Sequence, residues 1–156
     1  MAAESLGAQV FEVPFGMKTV LERRARDYAT ETRAHIVPFG CDHPVMIEAI
    51  TRAAAAIEVR PREVVSVLSS GVLSRGLQAA FPSATVFGVC VGHNPSAEEF
   101  GRARRIEKRY EFQQECPEEE RPPFPSSLCY DSKGWLHARE RAGKVRGVVL
   151  FWNVGR

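Results

Sequence analysis

Side chains suited to holding an anion are gathered in one short stretch, Ser69-Ser70-Gly71-Val72-Leu73-Ser74-Arg75. Serine hydroxyls are compact donors, glycine permits a positive φ or close backbone approach, and arginine presents a permanently charged fork that matches carboxylate or phosphate. If the stretch opens a helix, the first free N–H groups of that helix point at whatever lies above the turn. The same composition also suits an ordinary serine-capped turn with no ligand. Asp42-His43, His93-Asn94 and Asn153 form a second set, because each follows an apolar run and would stand on the rim of the same site. Histidine beside a carboxylate or amide can carry protons near neutral pH. His35, His43, His93 and His137 are nevertheless dispersed, and no nucleophile, base and acid fall into a recognisable spacing. Cys41 with His43, and Cys90 with His93, lack the spacing of a zinc finger or ribbon, so no metal site is expected. Glu118-Glu119-Glu120 reads as a solvated loop.

The elements that must position these residues follow from apolar spacing. Val64 to Leu68 is too short for a helix and suits a buried strand, and from Val72 the residues Leu73, Gly76, Leu77 and Ala80 recur at helical spacing. Thr85 to Val91 is a second buried strand. Ser96 and Glu99 make a capping box that opens a helix predicted to run to about Ile106, with Arg102, Arg104, Arg105, Lys108 and Arg109 as a solvated basic face. Tyr110 to Phe112 reads as a short edge strand, residues 113–127 as a Pro/Glu-rich surface loop or lid, Ser132 to Arg141 as a helix with Trp135 and Ala138 inward, and Gly147 to Asn153 as a last strand. Upstream, Phe11 to Gly16 is an extended lead-in. Met17 to Thr32 is an amphipathic helix with Leu21, Ala25, Tyr28 and Ala29 on one side. His35 to Val37 is a short strand ended by Pro38. Asp42 caps a helix whose inner face is Met46, Ala49, Ile50, Ala53 and Ile57.

Strands alternating with helices imply a three-layer, Rossmann-like α/β domain with a mostly parallel sheet and helices on both faces, spanning 1–156 with 1–12 flexible. Ligands of such sheets bind at the carboxyl ends of the strands. The expected site therefore collects Phe39 to His43, Ser69 to Ser74, Gly92 to Asn94 and Asn153 to Arg156.

Whole-chain figures exclude several classes. The 156 residues, 44% hydrophobic and 26% charged, fit one soluble globular domain with its own core. A net charge of +2 argues against a dedicated nucleic-acid binder. No apolar run approaches the ~20 residues that span a bilayer, and the N-terminus lacks the pattern of a secretory signal, so a cytoplasmic protein without a membrane partner is expected. Cys41, Cys90, Cys116 and Cys129 contain no C-x-x-C pair and read as reduced thiols.

Several of these residues resemble a known family. Val64 to Leu77 is similar to the strand, Gly-Ser-Gly-Gly-Thr type phosphate loop and helix of the tryptophan synthase β-like (fold type II) pyridoxal-phosphate enzymes. Ala25-Arg26-Asp27-Tyr28 followed by His35-Ile36-Val37-Pro38-Phe39-Gly40 resembles the helix and strand that precede that loop. Thr85 to Gly92 resembles the next strand, and Val148 to Gly155 the closing one. The resemblance implies the C-terminal part of the family's large domain, relatives mostly of bacterial or bacteriophage type, and phosphate binding by Ser69 to Arg75. The segment carrying the family's cofactor lysine has no counterpart here. Val72 and Leu73 stand where the loop's second glycine and threonine would be, with Ser74 as the nearest hydroxyl. Val154 stands where a Thr or Ser would meet the pyridine nitrogen, with Asn153 as the nearest polar group. Pyridoxal phosphate would then bind without a covalent bond or not at all, unless Lys18, Lys108, Lys133 or Lys144 replaces the missing lysine.

Three readings follow. The first is a truncated domain that binds a small anionic or phosphorylated ligand or serves as a partner module, as a homo-oligomer or with a companion chain. The second is one half of a split pyridoxal-phosphate lyase or synthase. The third is a phosphoribosyltransferase-like enzyme on a phosphorylated metabolite, although the acidic pair typical of that family is absent.

Overall fold

In the computed structural model, which describes residues 2–12, 18–92, 94–107 and 109–155, the chain separates into two compact units, Met1–Val37 and Pro38–Arg156. The first holds a helical turn α1 (Ala2–Ser5) and the helix α2 (Lys18–Thr32). Met17 and most of the predicted lead-in, 13–16, lie outside the described residues. On α2 the predicted apolar stripe is mostly open: Leu21 and Tyr28 are exposed and only Ala29 is buried, while the Tyr28 ring rests on Phe11 with centroids 5.0 Å apart. His35 to Val37 form no strand, contrary to expectation. No described strand lies beside them to pair with, Pro38 follows directly without an N–H to donate, and Val37 is exposed.

The second unit is built on a four-stranded parallel sheet in the order β3-β2-β1-β4. Its centre is β1 (Glu63–Leu68), buried at all six positions, beside β2 (Thr85–Cys90), with Glu63 opposite Thr85 and Leu68 opposite Cys90. Near-continuous burial of Val and Leu is what a strand covered on both faces requires. Alternation sends Val64 and Val86 to one face, where they pack with Ala54 of α3 (Pro44–Ala55) and Leu77 of α4 (Val72–Ala80). Val65, Val67, Phe87 and Val89 point to the other face, against Ala138 and Trp135 of α6 (Ser132–Ala142). The three-layer α/β architecture expected from the sequence is therefore present.

Several local expectations are corrected. Asp42 does not cap α3; His43 does, its Nδ1 accepting the Val45 N–H at 3.2 Å. Met46 and Ala53 of the predicted inner face are exposed, and Ala54 is the residue that reaches the core. The Ser96/Glu99 capping box is present, but it opens only one turn, α5 (Ala97–Phe100). Gly101, at φ +57°, then reverses the chain into the edge strand β3 (Arg104–Ile106), where a continued helix was expected. The edge is thus β3, while Tyr110 to Phe112 form no strand. The last strand, β4 (Val149–Phe151), is shorter than Gly147 to Asn153, although the Trp152 N–H still donates to Val65 O. Inside the Pro/Glu-rich segment, Glu118–Glu120 forms a single 3-10 turn.

Connections define one special position. From β1 the chain crosses through α4 to β2 on one face, and from β3 it returns through α6 on the opposite face to β4. The strand order reverses between β1 and β4, and the crevice beyond their carboxyl ends is where doubly wound sheets take ligands.

Candidate functional site

The turn Ser69-Ser70-Gly71 leaves the carboxyl end of β1 at that reversal and runs into α4. Gly71 is the N-cap of α4 at φ +77°, a left-handed conformation natural to glycine. A Cβ there would stand 2.0 Å from the backbone oxygen of Glu99, so α5 packs directly on the turn. A bulky residue at 71 would therefore break this packing. Ser70 faces α3's side of the sheet, where Gly40 presses on it: a Cβ on Gly40 would meet Ser70 Oγ at 2.1 Å. Ser69 faces the α6 side, hydrogen-bonded to the Tyr130 side chain and beside Gly92.

The remaining loop residues divide by what they touch. Val72 and Ser74 are buried, Leu73 packs on the core, and the Ser74 hydroxyl receives the Gln78 amide N–H at 3.1 Å. Val72 and Leu73 thus offer backbone N–H groups only. Arg75 is half-buried and its guanidinium is bound to Asp42 at 2.6 Å, which is why Asp42 is drawn away from α3. Arg75 Nε is buried without a hydrogen-bond partner.

Among the rim residues, His43 is spent on its cap. Asn94, beyond β2, accepts from Arg105 Nη2. His93 lies outside the described residues. Asn153 anchors the far side of the crevice: its Oδ1 accepts from Ser126 Oγ at 2.7 Å, and its Nδ2 donates to Pro125 O at 3.1 Å. The described residues of the basic cluster are exposed, as expected, yet they also bind the fold beneath them. Arg102 donates to the carbonyls of Gln78, Phe81 and Ala84, Arg104 lies over the Phe87 ring, and Arg105 lies over Phe100.

Two residues in the crevice carry no signal in the sequence. Asp131 occupies the N-cap position of α6, yet its side chain makes no cap bond. It is fully buried, and its Oδ2 accepts the Gly155 N–H at 2.7 Å just beyond β4. Its other oxygen, Oδ1, has no hydrogen-bond partner. Burial pushes this carboxyl above the usual range, against the backbone N–H groups of Gly155 and Val154 that favour its charge. Tyr130, next to it, ties α6 to Ser69, and burial raises its phenol as well. Only the meeting of segments 69–71, 130–131 and 153–155 in space marks these residues.

Two concavities lie elsewhere. One of about 160 Å3 runs beside α6 and is lined by Val89, Ile106, Lys133, His137 and Glu140; no residue from Ser69 to Arg75 lines it. Lys133 there is buried, with Nζ donating to Glu111 O at 2.7 Å and Phe112 O at 2.9 Å. The other, about 330 Å3, sits at the amino ends of the strands around Arg60, Phe81 and Pro82. Among the described residues no group of His, Cys, Asp and Glu is placed to hold a metal ion, and no helix is long and apolar enough to cross a membrane.

Comparisons with known proteins bear on the fold. No protein-family model and no curated protein matches the sequence. Among solved structures, the chain is similar to an ACC deaminase homologue, with a TM-score of 0.73 and 18% sequence identity over 99% of this chain. It spans 60% of the length of that structure. At the level of fold, this agrees with the resemblance to the fold type II pyridoxal-phosphate enzymes.

Proposed function

We propose that this chain is a fold type II-like domain that binds a small anionic or phosphorylated ligand at the amino end of α4, without complete lysine-dependent pyridoxal-phosphate catalysis. One observation carries the reading: at the reversal of strand order, the Ser69-Ser70-Gly71 turn opens the nine-residue α4 beyond β1 and is tied to Tyr130, whose neighbour, the buried Asp131, meets Gly155 beyond β4. The N–H groups of Val72, Leu73 and Ser74 supply donors and the positive end of the helix dipole. Ser69 and Ser70 add hydroxyls. A carboxyl held toward its neutral form by burial repels an anion less than an ordinary aspartate would.

Pyridoxal phosphate fits this position through its phosphate alone. When bound covalently, such a cofactor supplies an electron sink for carbanions, which needs a lysine amine. Of the described lysines, Lys18 pairs with Glu22 and Lys133 is fixed to two carbonyls beside α6.

The test is an amide NMR titration with inorganic phosphate, and separately with pyridoxal phosphate followed by borohydride and intact mass. Saturable shifts at Val72, Leu73 and Ser74, weakened in Ser70→Ala, are expected, with no reduced adduct. Unmoved α4 amides at millimolar phosphate would refute the anion site, and a stoichiometric adduct on one lysine would restore the enzyme reading.

A further inference from the structure

Cys116 lies within the Pro/Glu-rich segment and Cys129 just beyond it, and neither belongs to the candidate site. Cys116 is buried, Cys129 is half-buried, and both are free thiols. The Cys116 N–H donates to Leu128 O at 2.9 Å. Ordinary bond lengths from that contact keep the Cα atoms of Cys116 and Cys129 within about 7 Å, the outer reach of a disulfide.

Each sulfur lies against a carbonyl of the other segment. Cys116 Sγ lies 3.7 Å from Ser132 O, and Cys129 Sγ lies 3.7 Å from Gln113 O. Lys133 Nζ reaches Glu111 O and Phe112 O, so the two segments pass each other in opposite directions, 116 facing 128 and 111–113 facing 132–133. Each sulfur therefore reaches from the 116/129 level toward the 113/132 level, one from either side. Their environments differ in the way an attacking and a resolving thiol differ. Cys129 is the accessible one, whereas burial, aided by the Glu120 charge, pushes the Cys116 thiol up from its usual range.

We propose that Cys116 and Cys129 are a redox-modification site whose product is an intramolecular disulfide that staples residues 116–129. The oxidant is a small-molecule disulfide of the glutathione class. Cys129 loses its proton and its thiolate attacks one sulfur of the oxidant, forming a mixed disulfide and releasing one thiolate. Cys116 then loses its proton and attacks the Cys129 sulfur, releasing the second thiolate. Two protein thiols are oxidised, one small disulfide is reduced to two thiols, and the two protons pass to the products. Nothing in this proposal depends on the anion site.

The experiment treats the full chain, in a Cys41→Ser background that removes the exposed thiol, with oxidised glutathione at pH 8, followed by non-reducing peptide mapping and urea unfolding. A single Cys116–Cys129 link is expected. Closing a loop of this size lowers the unfolding equilibrium constant about hundredfold. Cys129→Ser must abolish both the link and the stabilisation. Cys116→Ala, with its fold checked by circular dichroism, must trap one glutathione on Cys129. A wild-type chain in which the Cys129–glutathione adduct persists, in which Cys129 does not react, or in which the link joins another pair overturns the proposal. The wild-type and Cys129→Ser results decide the matter even if Cys116→Ala fails to fold.

Discussion

Replacing Gln78 by leucine isolates the contact that turns the chain from α5 into β3. The Gln78 amide is buried and makes three hydrogen bonds. Nε2 donates to Phe100 O at 2.9 Å and to Ser74 Oγ at 3.1 Å, and Oε1 accepts the Arg102 N–H at 2.7 Å. The side chain thus holds both backbone groups that flank Gly101, where a Cβ would lie 2.7 Å from Gln78 Oε1. Leucine has nearly the same volume and none of the bonds. The Ser74 hydroxyl can turn to a carbonyl of its own helix. Phe100 O and Arg102 N–H cannot do so, and each left unsatisfied costs ~1–3 kcal/mol. Burying a leucine in place of an amide returns ~1–2 kcal/mol. The net expectation is a loss of ~2–4 kcal/mol, which at an m value of ~2 kcal/mol/M lowers the urea midpoint by ~1–2 M. Amide exchange should quicken at Arg104 to Ile106, because β3 loses its entry constraint. An unchanged or raised midpoint with unchanged m, or exchange that speeds up uniformly across the sheet, would refute the argument.

Three further substitutions test other parts of the fold. Gly71→Ala places a methyl against Glu99 O and imposes φ +77° on an L-residue, so a loss of ~2 kcal/mol or more is expected in urea unfolding. Gly143→Ala, at φ −75° where a Cβ would meet Glu140 O at an ordinary 3.8 Å, should be neutral or slightly stabilising; equal effects at both positions would contradict the role assigned to Gly71. Glu63 receives two guanidinium N–H groups from Arg141 at 2.7 and 2.5 Å, and this hydrogen bonding outweighs burial and holds the carboxyl below its ordinary 4.5. A lowered folded-state pKa gives stability that is complete above the unfolded value and is lost as pH falls through the folded one. Wild type should therefore lose stability below pH 4.5 more steeply than Glu63→Gln; parallel curves would remove Glu63 from the acid response.

The legible part of the fold is the part where burial is two-sided. Val64 to Leu68 and Thr85 to Val91 are nearly continuous apolar runs, broken by Ser66 and Gly88, and such runs suit buried strands, so β1, β2 and the helix α4 between them were readable. Misreadings fall where a tertiary contact outweighs local pattern. The capping box correctly announces α5, but no local rule reveals that Gln78, far earlier in the chain, claims the groups around Gly101 and ends the helix after one turn. Arg104 and Arg105 are solvated as read, but on a strand and not a helix, and charge alone says nothing of the Phe87 and Phe100 rings they lie over. Asp42 reads as a cap because its attraction to Arg75 spans distant segments.

The same division holds for the candidate site. Composition alone picks out Ser69, Ser70 and Gly71, because a strand that breaks at Ser-Ser-Gly into a helix must expose helix-start N–H groups, whatever surrounds it. Tyr130 and Asp131 join them only through three dimensions, since their importance rests on burial and on meeting Ser69 and Gly155. Local chemistry thus determined the strands, the turn and its donors. Strand order decided which turns share a crevice, because pairing β4 beside β1 is a long-range contact that no short stretch of sequence encodes.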